Sequence, residues 1–125
     1  MKNKLSKKVT VVTGGSSGIG RTIAAEFAKE GAKVIITGRN QKRLDAAIVK
    51  IGENCTGMEA DVSNIVVMKS LLEKVKQDYG RLDTILANAA MGEHAPIASI
   101  TEKQFDSMVD TNFKGVLFMV QLALP

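Results

Sequence analysis

Thr13-Gly14-Gly15-Ser16-Ser17-Gly18-Ile19-Gly20 lies between a β-branched apolar run, Val9 to Thr13, and a segment, Gly18 to Glu30, in which Ile19, Ile23, Ala24, Phe27 and Ala28 recur at helical spacing. A strand therefore turns into a helix through a loop of glycine and serine, and Gly31 supplies the end of that helix. A helix start offers unpaired backbone N–H groups and the positive end of the helix dipole, and a phosphate oxygen needs both. It also needs side chains out of its way. Gly14, Gly18 and Gly20 clear that approach, and their place between strand and helix makes the glycine pattern a candidate dinucleotide cradle rather than an ordinary tight loop.

The same alternation continues outward from the turn. Val34-Ile35-Ile36-Thr37 is a short continuous apolar run, as expected for a strand covered on both faces. Asn40 caps a second helix with inner face Leu44, Ala47, Ile48 and Ile51, ending at Gly52. Cys55 to Ala60 reads as a third strand, and Ser63 or Asn64 opens a third helix carrying Val67, Leu71, Leu72 and Val75 to Tyr79-Gly80. Thr84-Ile85-Leu86-Ala87 reads as a fourth strand. Thr101-Glu102-Lys103-Gln104 is a capping box for a last helix whose apolar stripe is Phe105, Met108, Val109, Phe113, Val116, Leu117 and Val120. Alternating βα units imply an α/β fold, a parallel sheet wound on both faces, and right-handed crossovers place the first strand inside it.

Composition excludes several classes. The 125 residues are 45% apolar, enough for one compact domain. The formal charge of +4 comes largely from Lys2, Lys4, Lys7 and Lys8 at the start, and neither zinc-finger spacing nor an aromatic-rich pattern accompanies it, so no nucleic-acid partner is expected. Cys55 is the only cysteine, which rules out an intrachain disulfide and, with no Cys/His cluster, leaves no metal site in view. No apolar run approaches the ~20 residues of a membrane helix, and the apolar run after the basic start is too short for a signal peptide. The expected setting is the cytoplasm, away from membranes.

Four segments taken in order, Thr13 to Gly20, Asp61-Val62, Ala87-Asn88-Ala89-Ala90 and Asn112, are similar to the motifs of the short-chain dehydrogenase/reductase family, over the whole chain. The resemblance implies a Rossmann-type doubly wound sheet, first half, with strand order 3-2-1-4 and flanking helices. It implies an oxidoreductase that moves hydride between a nicotinamide cofactor and a carbonyl or secondary alcohol. It implies that Gly14, Ser16, Ser17, Gly18, Ile19 and Gly20 hold the cofactor's phosphates, that Asp61 accepts from the adenine amino group, and that Val62 packs on the adenine. Asn88 is then expected to hold its strand beside the cofactor, with Ala89 and Ala90 nearby; the family's Asn-Asn-Ala-Gly is here Ala87-Asn88-Ala89-Ala90, so a methyl group replaces the last glycine.

An NAD-binding fold usually carries an acid at the end of the second strand, about twenty residues past the glycine turn. This chain carries Gly38-Arg39-Asn40. An acid would repel a 2′-phosphate, whereas Arg39 can give it a charge-assisted hydrogen bond worth about 1.5–3 kcal/mol, roughly tenfold to a hundredfold in affinity. NADP(H) is therefore favoured, with NAD(H) the alternative. Ser17 stands where many NADP-binding relatives have a second basic residue.

The family's proton donor is a Tyr assisted by a Lys four positions on, and neither that pair nor the catalytic Ser is in this chain; Tyr79 is followed four residues later by Asp83. Asn112 alone of the family's catalytic set is expected here, on the apolar stripe where a polar amide costs free energy unless satisfied. In relatives that residue holds a water at a helix kink. The chain is thus expected to be a single dinucleotide-binding domain, 1–125, stopping after the helix that follows the fourth strand, with an open strand edge and a bared stripe that favour a homo-oligomer through the last helix. His94, in the loop Met91 to Ser99, is expected to face solvent. Two rival functions stand beside this one: a non-catalytic dinucleotide-binding or subunit-interaction protein, and a P-loop NTPase. Gly15 to Thr22 misses the P-loop only by Arg21 in place of Lys, but a guanidinium does not replace the compact ammonium between β and γ phosphates.

Overall fold

Strand β1 (Val9–Thr13) is buried along all five residues. In the computed structural model, which describes residues 4–90 and 95–124, it has parallel strands on both sides. Strand β2 (Lys33–Gly38) pairs with it in the register Val11↔Ile35, and β4 (Thr84–Leu86) in the register Val11↔Ile85. Strand β3 (Cys55–Glu59) lies beyond β2, so the order is β3-β2-β1-β4, as the family resemblance implies, with β1 inside the sheet as the alternation of elements implies.

Successive side chains of a strand point to opposite faces, and the core divides accordingly. Val9, Val11 and Ile35 face Met68, Leu71, Leu72 and Val75 of α3 (Ile65–Tyr79) together with Met119. Val12, Val34 and Ile36 face Ala24 and Ala28 of α1 (Gly18–Lys29) and Leu44 and Ala47 of α2 (Gln41–Ile51). Each helix has the stop or start its sequence calls for. The Asn40 and Asn64 side chains accept from the N–H groups of Arg43 and Val67, and Gly80 ends α3 in the left-handed region at φ 73°. The choice between Ser63 and Asn64 as the cap of α3 is settled for Asn64.

At the N-terminal end of the sheet Asp83 ties β4 to β1. Its Oδ2 accepts from the Val9 N–H at 2.8 Å, and its own N–H donates to the Val9 carbonyl at 2.9 Å. The Arg81 hydrogen bond, with the Val9 N–H, holds the Asp83 carboxyl below the usual carboxylate range. Beyond β4 no strand follows among the described residues.

The last helix differs from the single α-helix expected. It starts as α4 (Glu102–Val109), with the Thr101/Gln104 capping box formed in both directions, passes through a π-helical turn at Asp110–Lys114, and resumes as α5 (Gly115–Ala123). The turn decides which face packs. Thr111, Gly115 and Met119, four apart, are buried, while Phe105, Val109, Phe113, Leu117 and Val120 are exposed, Phe113 by 72%. The stripe read from the sequence is thus the bared face. Asn112 lies on the exposed side of the π-turn and not in an apolar environment, which corrects the expectation of a costly buried amide. Gly115 is required where it is, because a Cβ there would stand 2.8 Å from the Val62 carbonyl oxygen and 2.9 Å from that of Asp110.

Cys55 is buried on β3, and that burial pushes its thiol up to about 11. The unfolded thiol titrates near 8.5, so the folded state holds the proton more tightly. This contribution to stability is present below about pH 8.5 and is lost as pH rises through 11. At pH 8 about one thiol in a thousand is ionised in the folded protein. Native Cys55 should therefore resist iodoacetamide at pH 8, read by intact mass, and alkylate at least a hundredfold faster once urea unfolds the chain.

Candidate functional site

At the C-terminal end of β1 the backbone makes a left-handed step at Gly14, φ 66°. A side chain is excluded there twice over. The conformation disfavours one, and a Cβ would lie 2.9 Å from the Ala89 Cα. Gly20 is equally constrained by contact, since a Cβ would collide with Asn88 Nδ2 and the Gly14 carbonyl, and Gly15 leaves no room against the Ile36 side chain. Gly18 differs. A Cβ there would meet nothing within 4 Å, and it is the left-handed φ of 57° that favours glycine. Ser17 caps α1 with extended backbone and no side-chain hydrogen bond, which leaves the first N–H groups of α1 facing outward.

The turn is fastened to its surroundings by a hydroxyl the sequence reading passed over. Thr13 Oγ1 accepts from the N–H groups of Asn88 (3.0 Å) and Ala89 (3.1 Å) and donates to the Leu86 carbonyl (3.4 Å). Asn88 Nδ2 adds a bond to the Gly14 carbonyl at 3.2 Å. On the other flank the Gly15 N–H donates to the Thr37 carbonyl at 3.1 Å. Three strand ends are thereby locked together around the turn.

Between them opens a cleft of about 580 Å³. It lies where the chain, having built outward from β1 to β3, returns to the opposite side of β1, the switch point at which open α/β sheets bind ligands. Of the residues expected to bind cofactor, Gly14, Ser16, Ser17, Arg39, Asp61, Val62, Asn88, Ala89 and Ala90 line it. Gly18, Ile19 and Gly20 do not; Gly20 is a packing glycine and Ile19 is exposed. Asn112 is also absent from the wall, and its neighbour Thr111, buried, takes the place. Thr37, Gly38, Asn40, Arg43 and Ala60 complete it. His94 lies outside the described residues.

Asp61 is not the helix cap that its position allowed. Its Oδ1 takes both the Ser63 N–H (2.9 Å) and the Ser63 hydroxyl (2.7 Å), which fixes the carboxylate at the cleft and leaves Oδ2 without a hydrogen bond among the described residues. Burial pushes its carboxyl up, but the two Ser63 bonds and the charge of Arg39 outweigh it, and Asp61 ends below the usual carboxylate range. It is an anion at neutral pH. The P-loop reading fails on geometry too, because the Thr22 hydroxyl, which such a loop would turn to a metal, bonds back to the Gly18 carbonyl at 3.1 Å. Among the described residues no group of three His, Cys, Asp or Glu could hold a metal ion, and no helix is long and apolar enough to cross a membrane.

Residues 8–125 match the family model described as short chain dehydrogenase. The chain belongs to that family. It is 42% identical to the oxidoreductase asL5 of Sarocladium schorii over 98% of this chain and 49% of that protein. To the galactitol 2-dehydrogenase of Agrobacterium fabrum it is 35% identical over 94% of this chain and 46% of that one. A crystal structure of a short-chain dehydrogenase/reductase, glucose/ribitol dehydrogenase, from Brucella melitensis superposes with a TM-score of 0.94 at 26% identity, covering 100% of this chain and 54% of that one. The chain spans about half the length of the curated relatives it matches. Short chain dehydrogenases bind NAD(P), and the cleft lies at the dinucleotide-binding end of the sheet.

Replacing Thr13 by Val keeps the shape and removes the hydroxyl, leaving two N–H groups at the turn without their partner. The cost should be about 1–3 kcal/mol in urea unfolding, with Thr13→Ser recovering most of it. If Thr13→Val unfolds at the parent's urea midpoint, the hydroxyl does not hold the β1–β4 junction.

Proposed function

We propose that this chain carries the cofactor-binding part of an NADP(H)-dependent oxidoreductase acting between a carbonyl and a secondary alcohol. The observation that carries the reading is the end of β2, where Arg39 lines the cleft at the position an NAD-binding fold gives to an acid. The residues present fit a dinucleotide. Gly14, Ser16 and Ser17 of the glycine turn line the cleft, the Ser17 side chain caps none of the first N–H groups of α1, and the Thr37 hydroxyl in the wall is buried without a hydrogen-bond partner among the described residues. Such an orphan is rare unless a ligand, water or rearrangement relieves it.

In this reading Gly14, Ser16, Ser17, Gly18 and Ile19, with Gly20 behind them, hold the pyrophosphate by backbone N–H groups at the start of α1. Arg39 binds the 2′-phosphate. Asp61 accepts from the adenine amino group through Oδ2, the oxygen Ser63 leaves open, and Val62 supplies an apolar wall for the ring. Asn88, Ala89 and Ala90 border the nicotinamide ribose. The nicotinamide, when bound, supplies or takes the hydride; the donor of the proton at the substrate oxygen is a Tyr that these 125 residues do not contain. Asn112, on the π-turn next to the cleft-lining Thr111, is the one member of the catalytic set assigned to this chain. The exposed stripe of the last helix, and the edge of β4 that no strand covers among the described residues, support association with a second copy.

Titration with NADPH and NADH, followed by nicotinamide fluorescence, tests the cofactor assignment. Arg39→Ala should weaken NADPH roughly tenfold to a hundredfold, from loss of a bond of about 1.5–3 kcal/mol, and leave NADH within about twofold. Equal affinity of the parent for the two cofactors would overturn the assignment.

A further inference from the structure

Ser17 leaves the glycine turn without the second cation that a doubly charged 2′-phosphate would use, and the structure shows where another comes from. Arg43 sits in the first turn of α2, its N–H bonded to the Asn40 side chain at 3.1 Å, and it lines the same cleft as Arg39, Ser16 and Thr37. We propose that Arg43 is the second arm of a 2′-phosphate clamp and that it helps set the preference for NADP(H). This rests on the cofactor reading given above.

Three observations support it. First, the corner is one continuous surface: a Cβ on Gly38 would stand 3.0 Å from Ser16 Oγ, and the Gly15 N–H reaches the Thr37 carbonyl, so the phosphate turn and the β2–α2 connection touch. Secondly, the corner is cationic and unneutralised. Neither Arg39 nor Arg43 has a carboxylate within 4 Å among the described residues, whereas Arg81, Lys74 and Lys29 do. The first turn of α2 contains no acid, and its nearest one, Asp45, accepts from the Gln41 side chain at 2.8 Å. Arg39 also acts on the Asp61 carboxylate, whereas Arg43 has no carboxylate within 4 Å among the described residues. Thirdly, Thr37, 1% exposed, has a hydroxyl in the wall of the same cleft without a partner among the described residues. Two cations, a buried hydroxyl and the first turn of α2 thus line one cleft, a donor set suited to a phosphate dianion.

Calorimetric titration with adenosine 2′,5′-bisphosphate and with adenosine 5′-monophosphate isolates the corner, since neither probe needs the nicotinamide or the catalytic residues. Arg43→Ala should weaken the bisphosphate about tenfold, leave the monophosphate within about twofold, and lower the steepness of the salt dependence. Arg43→Lys should fall between the two, because it keeps the charge and loses the planar fork. Arg43 is exposed, so equal thermal unfolding of the parent and the variants is expected alongside. A bisphosphate affinity unchanged in Arg43→Ala but reduced in Arg39→Ala would overturn the role of Arg43 and keep the cofactor reading. An equal fall for both probes would make Arg43 a structural residue and also overturn it. A parent that does not distinguish the two probes would sink the cofactor reading itself, and this inference with it.

Discussion

Backbone meets backbone at the end of β1, and the site depends on how closely. Gly14 and Gly20 have Ala89 and Asn88 pressed against the places where their side chains would be, so the start of α1 and the end of β4 share one small volume. That approach would be costly if the polar groups it buries were left unsatisfied. Thr13 Oγ1 and Asn88 Nδ2 meet the requirement with bonds across the junction. The cleft opens beside this fastening, lined by Gly14, Thr37 and Asn88.

Much of this was legible in the residues, because the determinants are local. Apolar patterns, an Asn before each of α2 and α3, and a glycine after each of α1, α2 and α3 fix where elements begin and end, and up to β4 the observed bounds fall within a residue or two of those expected. Alternation and handedness place the first strand inside a parallel sheet, and the family resemblance implies the full order. Arg39 was singled out by its place at the end of a strand, Asp61 and Asn88 through the family resemblance, and all three line the cleft.

What was not legible depends on approach between distant segments. Thr13 reads as one more β-branched strand residue, and only the seam with residues 86 to 89 shows that its hydroxyl has work to do. Arg43 reads as a solvated charge in a helix, and its relation to Ser16 and Thr37 appears only when α2 folds back along β2. The π-turn has no signature in a 3.6-residue pattern, since it consists of one residue more than that pattern allows. Asn112 was read as an amide in apolar surroundings although it is exposed, and Thr111, buried beside it, was missed.

That extra residue acts as a phase setting. Each residue of an α-helix turns the chain by about 100°, so a turn that carries one more than usual rotates everything after it by that angle relative to an uninterrupted helix. With the shift, Gly115 arrives at the Val62 carbonyl and Met119 at the α3 core; without it, a side chain one position away would be aimed at the same carbonyl. Val62 is a wall of the cleft. The winding of the last helix, far along the chain from the glycines, thus acts as a gauge for the width of the space they open.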